Sequence, residues 1–171
     1  MDDEVRTMGE EGTPDERQRQ RQEREDLRQY LRGYTIAARR VDDLKERVRS
    51  IREDYSALTA SKISAVVARA GISDPTPKKT LIADDAEERL TIAMDEAKAA
   101  LLEREALISL LPATSVERRV LELKYIDGKE DWDIGGAIGR SGSVVRDIER
   151  NGLDILLTFP SVRKVLKEGE T

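Results

Sequence analysis

Apolar side chains recur along residues 27–58 in alternating steps of three and four: Leu27, Tyr30, Tyr34, Ala37, Val41, Leu44, Val48, Ile51, Tyr55 and Leu58. That is a heptad seam sustained over more than four repeats, and it predicts a long helix packed along one side. Charged residues such as Arg39, Arg40, Asp42, Lys45 and Glu46 fill the intervening positions, where pairs three or four apart support an exposed helical face. Gly71-Ile-Ser-Asp-Pro-Thr-Pro77 interrupts the pattern, as turn-forming residues do. Asp84 or Asp85 is placed to cap a second helix, whose apolar face holds Leu90, Met94, Ala97, Leu101, Ile108 and Leu111 before Pro112 ends it. The two segments predict an antiparallel helical hairpin. The second helix, about 42 Å long against roughly 48 Å or more for the first, leaves Leu27, Tyr30, Tyr34 and Ala37 as an oligomerisation surface, most simply of a homodimer.

Residues 113–171 change character. Ser115 precedes Val116, Val120, Leu121 and Leu123, and Asp127-Gly128 follows as a turn. A second short helix from about Asp131 carries Trp132, Ile134, Ala137 and Ile138, with Trp132 expected to pack inside. Gly139 then supplies a tight turn that needs positive φ. Ser141 is placed to cap a third helix with Val144 or Val145, Ile148, Leu153 and Leu156 inward. Helix, short glycine turn, helix is the helix-turn-helix pattern, in which the second helix offers its outer N-terminal residues to the major groove. The expectation is an all-α chain. It divides into a disordered acidic tail (1–16), a hairpin or coiled-coil arm (17–112) and a three-helix helix-turn-helix domain (113–171).

Composition narrows the function classes. The chain has no histidine and no cysteine, which removes the commonest general base and thiolate metal sites. No acid–base–nucleophile constellation stands out, so a non-enzyme without cofactor or metal is expected. No apolar run approaches membrane-spanning length, and no apolar leader is visible, so a cytoplasmic protein is expected. The net charge of −5 resides in residues 1–26, which hold ten acids and five bases. Residues 113–171 hold eleven acids and ten bases. A near-neutral domain of this kind binds duplex DNA weakly by itself.

Leu111-Pro112, Glu117-Arg-Arg-Val-Leu121, Tyr125, Gly128, Trp132-Asp-Ile134, Ala137-Ile-Gly139, Ser141 and Val145-Arg-Asp-Ile-Glu149 resemble region four of bacterial RNA polymerase sigma factors. The layout of a charged helical arm before such a module is similar to phage-borne transcriptional regulators of the autolysin-regulator (ArpU/RinA-like) group. The resemblance implies a transcriptional regulator that docks on double-stranded DNA and contacts RNA polymerase. On that reading Arg146 faces the groove, while Arg140 and Arg150 meet phosphates. Ser141 and Ser143 donate hydrogen bonds, Gly142 opens the recognition helix, and Lys129 touches the backbone. Asp147 either accepts from a cytosine amino group or pairs with a neighbouring base. The chain departs from the family at Gly135 and Gly136. Gly135 is read as permitting close helix packing, and nothing in the pattern accounts for Gly136. Two other classes fit the same pattern: a sigma-like module that binds polymerase rather than DNA, and a small-terminase-like DNA-packaging oligomer.

Overall fold

A computed structural model of the chain describes residues 13–66 and 76–168, with side chains at all of these except 55, 57–66 and 76–80. The described residues are helical, with no strand among them. In chain order the helices are α1 (Pro14–Val66), α2 (Thr76–Ile108), α3 (Val116–Tyr125), α4 (Asp131–Ile138), α5 (Gly142–Leu157) and α6 (Pro160–Glu168). None is long and apolar enough to cross a membrane.

Both long helices differ in their limits from the sequence expectation. α1 begins two residues before Glu16, inside the stretch expected to be a tail. Thr13 accepts from the Glu16 amide at 3.3 Å, and the Glu16 carboxylate accepts from the Thr13 amide at 2.8 Å. This is a reciprocal capping box with Pro14 in the first helical position. It starts a helix where apolarity gives no signal. α2 begins at Thr76, two turns ahead of Asp84, with Pro77 tolerated in its first turn. The expected tail over residues 1–12 and most of the expected break at 71–77 lie outside the described residues.

The chain forms two compact units. One combines residues 33–105 from α1 and α2. Val41, Ala93 and Ala97 are its buried centre, with Ala37, Leu44 and Leu90 packed against them. Arg52 bonds Glu87 at 2.7 Å and Arg40 meets Glu96 at 3.5 Å, so the two segments run antiparallel. Small Ala93 and Ala97 opposite Val41 let the helix backbones approach, and the seam continues to buried Val48.

The other unit combines the described residues of 1–32 with those of 106–171. Its division from the first does not fall at Pro112, as the sequence suggested. Leu27 and Leu31 of α1 are fully buried with Ile108, Leu111, Leu121, Tyr125, Leu153, Leu156 and Val162, and Tyr30 packs against this core. Leu27 is therefore covered within the chain, while Tyr30 keeps part of its surface exposed. Tyr34 is half-buried, and Ala37 packs in the 33–105 unit. Of the expected oligomerisation surface the structure removes Leu27, because α3, α5, α6 and the end of α2 cover it. α6, with Pro160 at its first position and Val162 fully buried, had no counterpart in the sequence expectation. A second small core, Val120, Leu123, Ile134 and Val145 with Ile138 and Ile148, joins α3, α4 and α5.

Candidate nucleic-acid interface

α3 is the platform for the site. Ser115 caps it, its hydroxyl accepting from the Arg118 amide at 3.2 Å, as expected. Val120 and Leu123 point toward α4 and α5, and Leu121 and Tyr125 toward α1. Gly152 of α5 lies so close to α3 that an added Cβ would sit 3.2 Å from both Glu117 and Leu121.

The α4–α5 connection is three residues, Gly139 to Ser141. Gly139 has φ 67° and ψ 37°, a conformation that favours glycine. The Arg140 amide then folds back onto the Gly135 carbonyl at 2.8 Å. A Cβ on Gly135 would meet the Arg140 carbonyl oxygen at 2.5 Å, whereas one on Gly136 would meet nothing within 4 Å. Gly135 thus sets how closely the turn packs on α4. Nothing in the structure explains Gly136.

Ser141 occupies the N-cap position of α5 without the expected side-chain cap. Its hydroxyl pairs instead with that of Ser143 at 2.9 Å. Val145 is the inward valine, fully buried, and Val144 is exposed. The sequence-predicted DNA residues come together on this edge. Arg140, Ser141, Ser143, Arg146, Asp147 and Arg150 are exposed, Gly142 is half-buried at the start of α5, and Lys129 is exposed ahead of α4. Asp147 meets Arg150 at 3.4 Å, an exposed pair worth little. Trp132, expected inside, is 75% exposed. Two residues before Ile134 on a helix, it falls on the opposite face from that buried side chain.

Sequence reasoning missed Glu149. It sits on α5 between Arg146 and Arg150, yet it is only 3% exposed. Arg28 of α1 donates to its Oε1 at 2.9 Å, Tyr125 of α3 donates to the same oxygen at 2.6 Å, and Lys124 donates to Oε2 at 2.6 Å. Lys124 also bonds Asp131 at the start of α4, at 2.7 Å. One carboxylate therefore ties α5 to α1 and α3, and through Lys124 to α4. Burial by itself would raise the Glu149 carboxyl, but the bonds from Lys124, Tyr125 and Arg28 outweigh it and hold it below the usual carboxylate range. Burial, followed by the facing carboxylate, pushes the Tyr125 phenol up, so it stays a donor. No signal for this was present in the sequence, because a glutamate between two exposed arginines reads as solvated.

The arrangement presents a row of cationic and hydroxyl groups on a short helix held by a buried ionic network. Such a row can bind an extended anion. Among the described residues, no group of three or more acidic side chains is placed to hold a metal ion. No family model, no curated protein and no solved structure matches the chain.

Proposed function

We propose that the chain is a DNA-binding transcriptional regulator that docks α5 in the major groove of duplex DNA as the recognition helix of a helix-turn-helix. The observation that carries this reading is the exposed edge Arg140, Ser143, Arg146 and Arg150 on a helix braced from behind by Glu149. Arg146 is one turn into α5, where a side chain reaches base edges, and Arg140 lies in the turn, where it meets a phosphate. The resemblance to sigma region four supports the same reading and adds contact with RNA polymerase in a phage-encoded setting. The arm of α1 and α2 precedes the module as in the autolysin-regulator group. A homodimer through Tyr30, Tyr34 and Ala37 belongs to the same proposal, without Leu27, which is covered within the chain.

The test is a pair of substitutions in the full chain, read on a selected site and on random duplex. Arg146→Ala should cost about 1–3 kcal/mol on the selected site and relax the preference there. Arg140→Ala should weaken both about equally. Equal behaviour of the two variants, with no change from wild type, would overturn the reading.

One observation favours a second reading, in which this face docks on a protein such as RNA polymerase. Trp132 is exposed on α4, and tryptophan is over-represented at the centres of protein interfaces. Trp132→Ala should then abolish polymerase binding while leaving stability within about 0.5 kcal/mol.

A further inference from the structure

Arg17, Arg21, Arg24, Arg28 and Arg32 follow one another along α1 in steps of four, three, four and four, which places them in one stripe on the helix. The stripe adjoins Leu27 and Leu31, which seat α1 in its core. Its middle is fixed to α5, Arg24 to Asp154 at 3.0 Å and Arg28 to Glu149 at 2.9 Å. On the N-terminal side of that anchor, α1 and the α5–α6 end border an open cleft of about 1010 Å³. Six arginines line it: Arg17, Arg19, Arg21, Arg24, Arg150 and Arg163. Three carboxylates face them, Glu16, Glu23 and Asp154. Asp154 is held by Arg24, and Glu23 meets Arg163 at 3.7 Å. That second pair is exposed on both sides and weak enough for a stronger anion to replace. Arg19 and Arg21 take part in no ion pair among the described residues. An excess of guanidinium groups is thus gathered in a chain whose net charge is −5.

We propose that this cleft is a second phosphate-binding surface, which takes the sugar–phosphate backbone of duplex DNA beyond the segment that α5 reads. The proposal rests on the DNA-binding reading above and extends it. Guanidinium forks match phosphate oxygens in pairs. Among the described residues no aromatic side chain lines the cleft, so it lacks the stacking platforms that single strands use. Arg150 belongs to both surfaces: it is exposed on α5 one turn beyond Arg146, and it lines the cleft. The two surfaces are therefore continuous. Phosphate contacts here would add arginines of α1 to the few exposed cations of a near-neutral C-terminal domain.

The experiment uses the full-length chain carrying Arg19→Ala and Arg21→Ala together. Both side chains are exposed, and circular dichroism melts verify that the fold is retained. Binding to duplex DNA is followed as a function of salt. Loss of two phosphate contacts should make the log–log slope less negative by about 2, so that affinity drops about tenfold less between about 50 and 200 mM salt. Preference for the selected site should not change. The wild type should gain affinity when the duplex is lengthened by about one helical turn of 10.5 bp, and the double variant should not. Replacement of both arginines by lysine should keep most of the slope. A wild-type slope in the alanine variant, alongside a flattened slope in Arg140→Ala, would overturn the cleft and leave the recognition-helix reading standing. If the wild-type chain shows no salt-sensitive DNA binding, both readings fall together.

Discussion

Replacing Glu149 with glutamine should destabilise the unit formed by residues 13–32 and 106–168 more than any other single polar substitution on α5. The carboxylate accepts three bonds, from Arg28, Tyr125 and Lys124, at 2.9, 2.6 and 2.6 Å. Breaking a buried ionic group by removing one partner costs about 3–5 kcal/mol. The lower end applies, because neither cation is left without a carboxylate: Lys124 keeps Asp131 at 2.7 Å and Arg28 keeps Glu25 at 2.7 Å. The expected loss is about 3 kcal/mol in urea unfolding at neutral pH, with an unchanged m-value. Tyr125→Phe alone should cost about 1 kcal/mol. The double variant should cost less than the two losses added, since both remove the same bond. The pH dependence has a definite sign. The folded-state carboxyl lies below its usual range, so its contribution is present above the unfolded value of about 4.3 and fades as the pH falls through the folded one. The gap between wild type and Glu149→Gln should therefore close in acid. A loss under about 1 kcal/mol at neutral pH, or a gap that widens in acid, would refute the assignment of this carboxylate as the brace of α5.

Three further outcomes follow from the packing. Gly135→Ala should destabilise by roughly 1–3 kcal/mol, since its Cβ would meet the Arg140 carbonyl at 2.5 Å. Gly136→Ala, with open space around it, should stabilise by up to about 1 kcal/mol through helix propensity, and thermal melts of the pair provide the check. Leu27→Ala should cost about 2–5 kcal/mol in urea unfolding with no change in sedimentation, because Leu27 is a core residue of its own chain.

The helical class, the limits of α3 and α4, the start of α5, the Ser115 cap and the Gly139 turn were legible in the sequence, because each rests on local chemistry. Apolar spacing, a capping serine and a glycine that must adopt positive φ act within a few residues. What the sequence did not reveal is long-range. Leu27 belongs to the same heptad seam as Val41 and Val48, yet it is buried with Leu31 in a core shared by α3, α5, α6 and the end of α2 rather than in the core that Val41 forms with Ala93 and Ala97. A period alone does not say which partner covers a face. Trp132 went outward because α4, eight residues long, has room for only Ile134, Gly135 and Ile138 on its inner side. The role of Glu149 depends on Arg28, distant from it in sequence. For the candidate interface, the residues of the α5 edge came from the resemblance to sigma region four, and the structure shows that Arg140, Ser141, Ser143, Arg146, Asp147 and Arg150 are exposed. The arginines of α1 were not, since a run of alternating Arg and Gln looks solvated until α5 and α6 are seen beside it.

The regulator reading and the cleft both depend on duplex DNA binding by the cationic edge of α5. Titration of the full-length chain onto a random-sequence duplex across a range of salt concentrations tests it most directly. Contacts from Arg140 and Arg150 to two phosphates predict a log–log slope of about −2 or steeper. Arg140→Ala should flatten it by about one. A slope indistinguishable from zero for the wild-type chain, alone and with RNA polymerase present, would contradict the account.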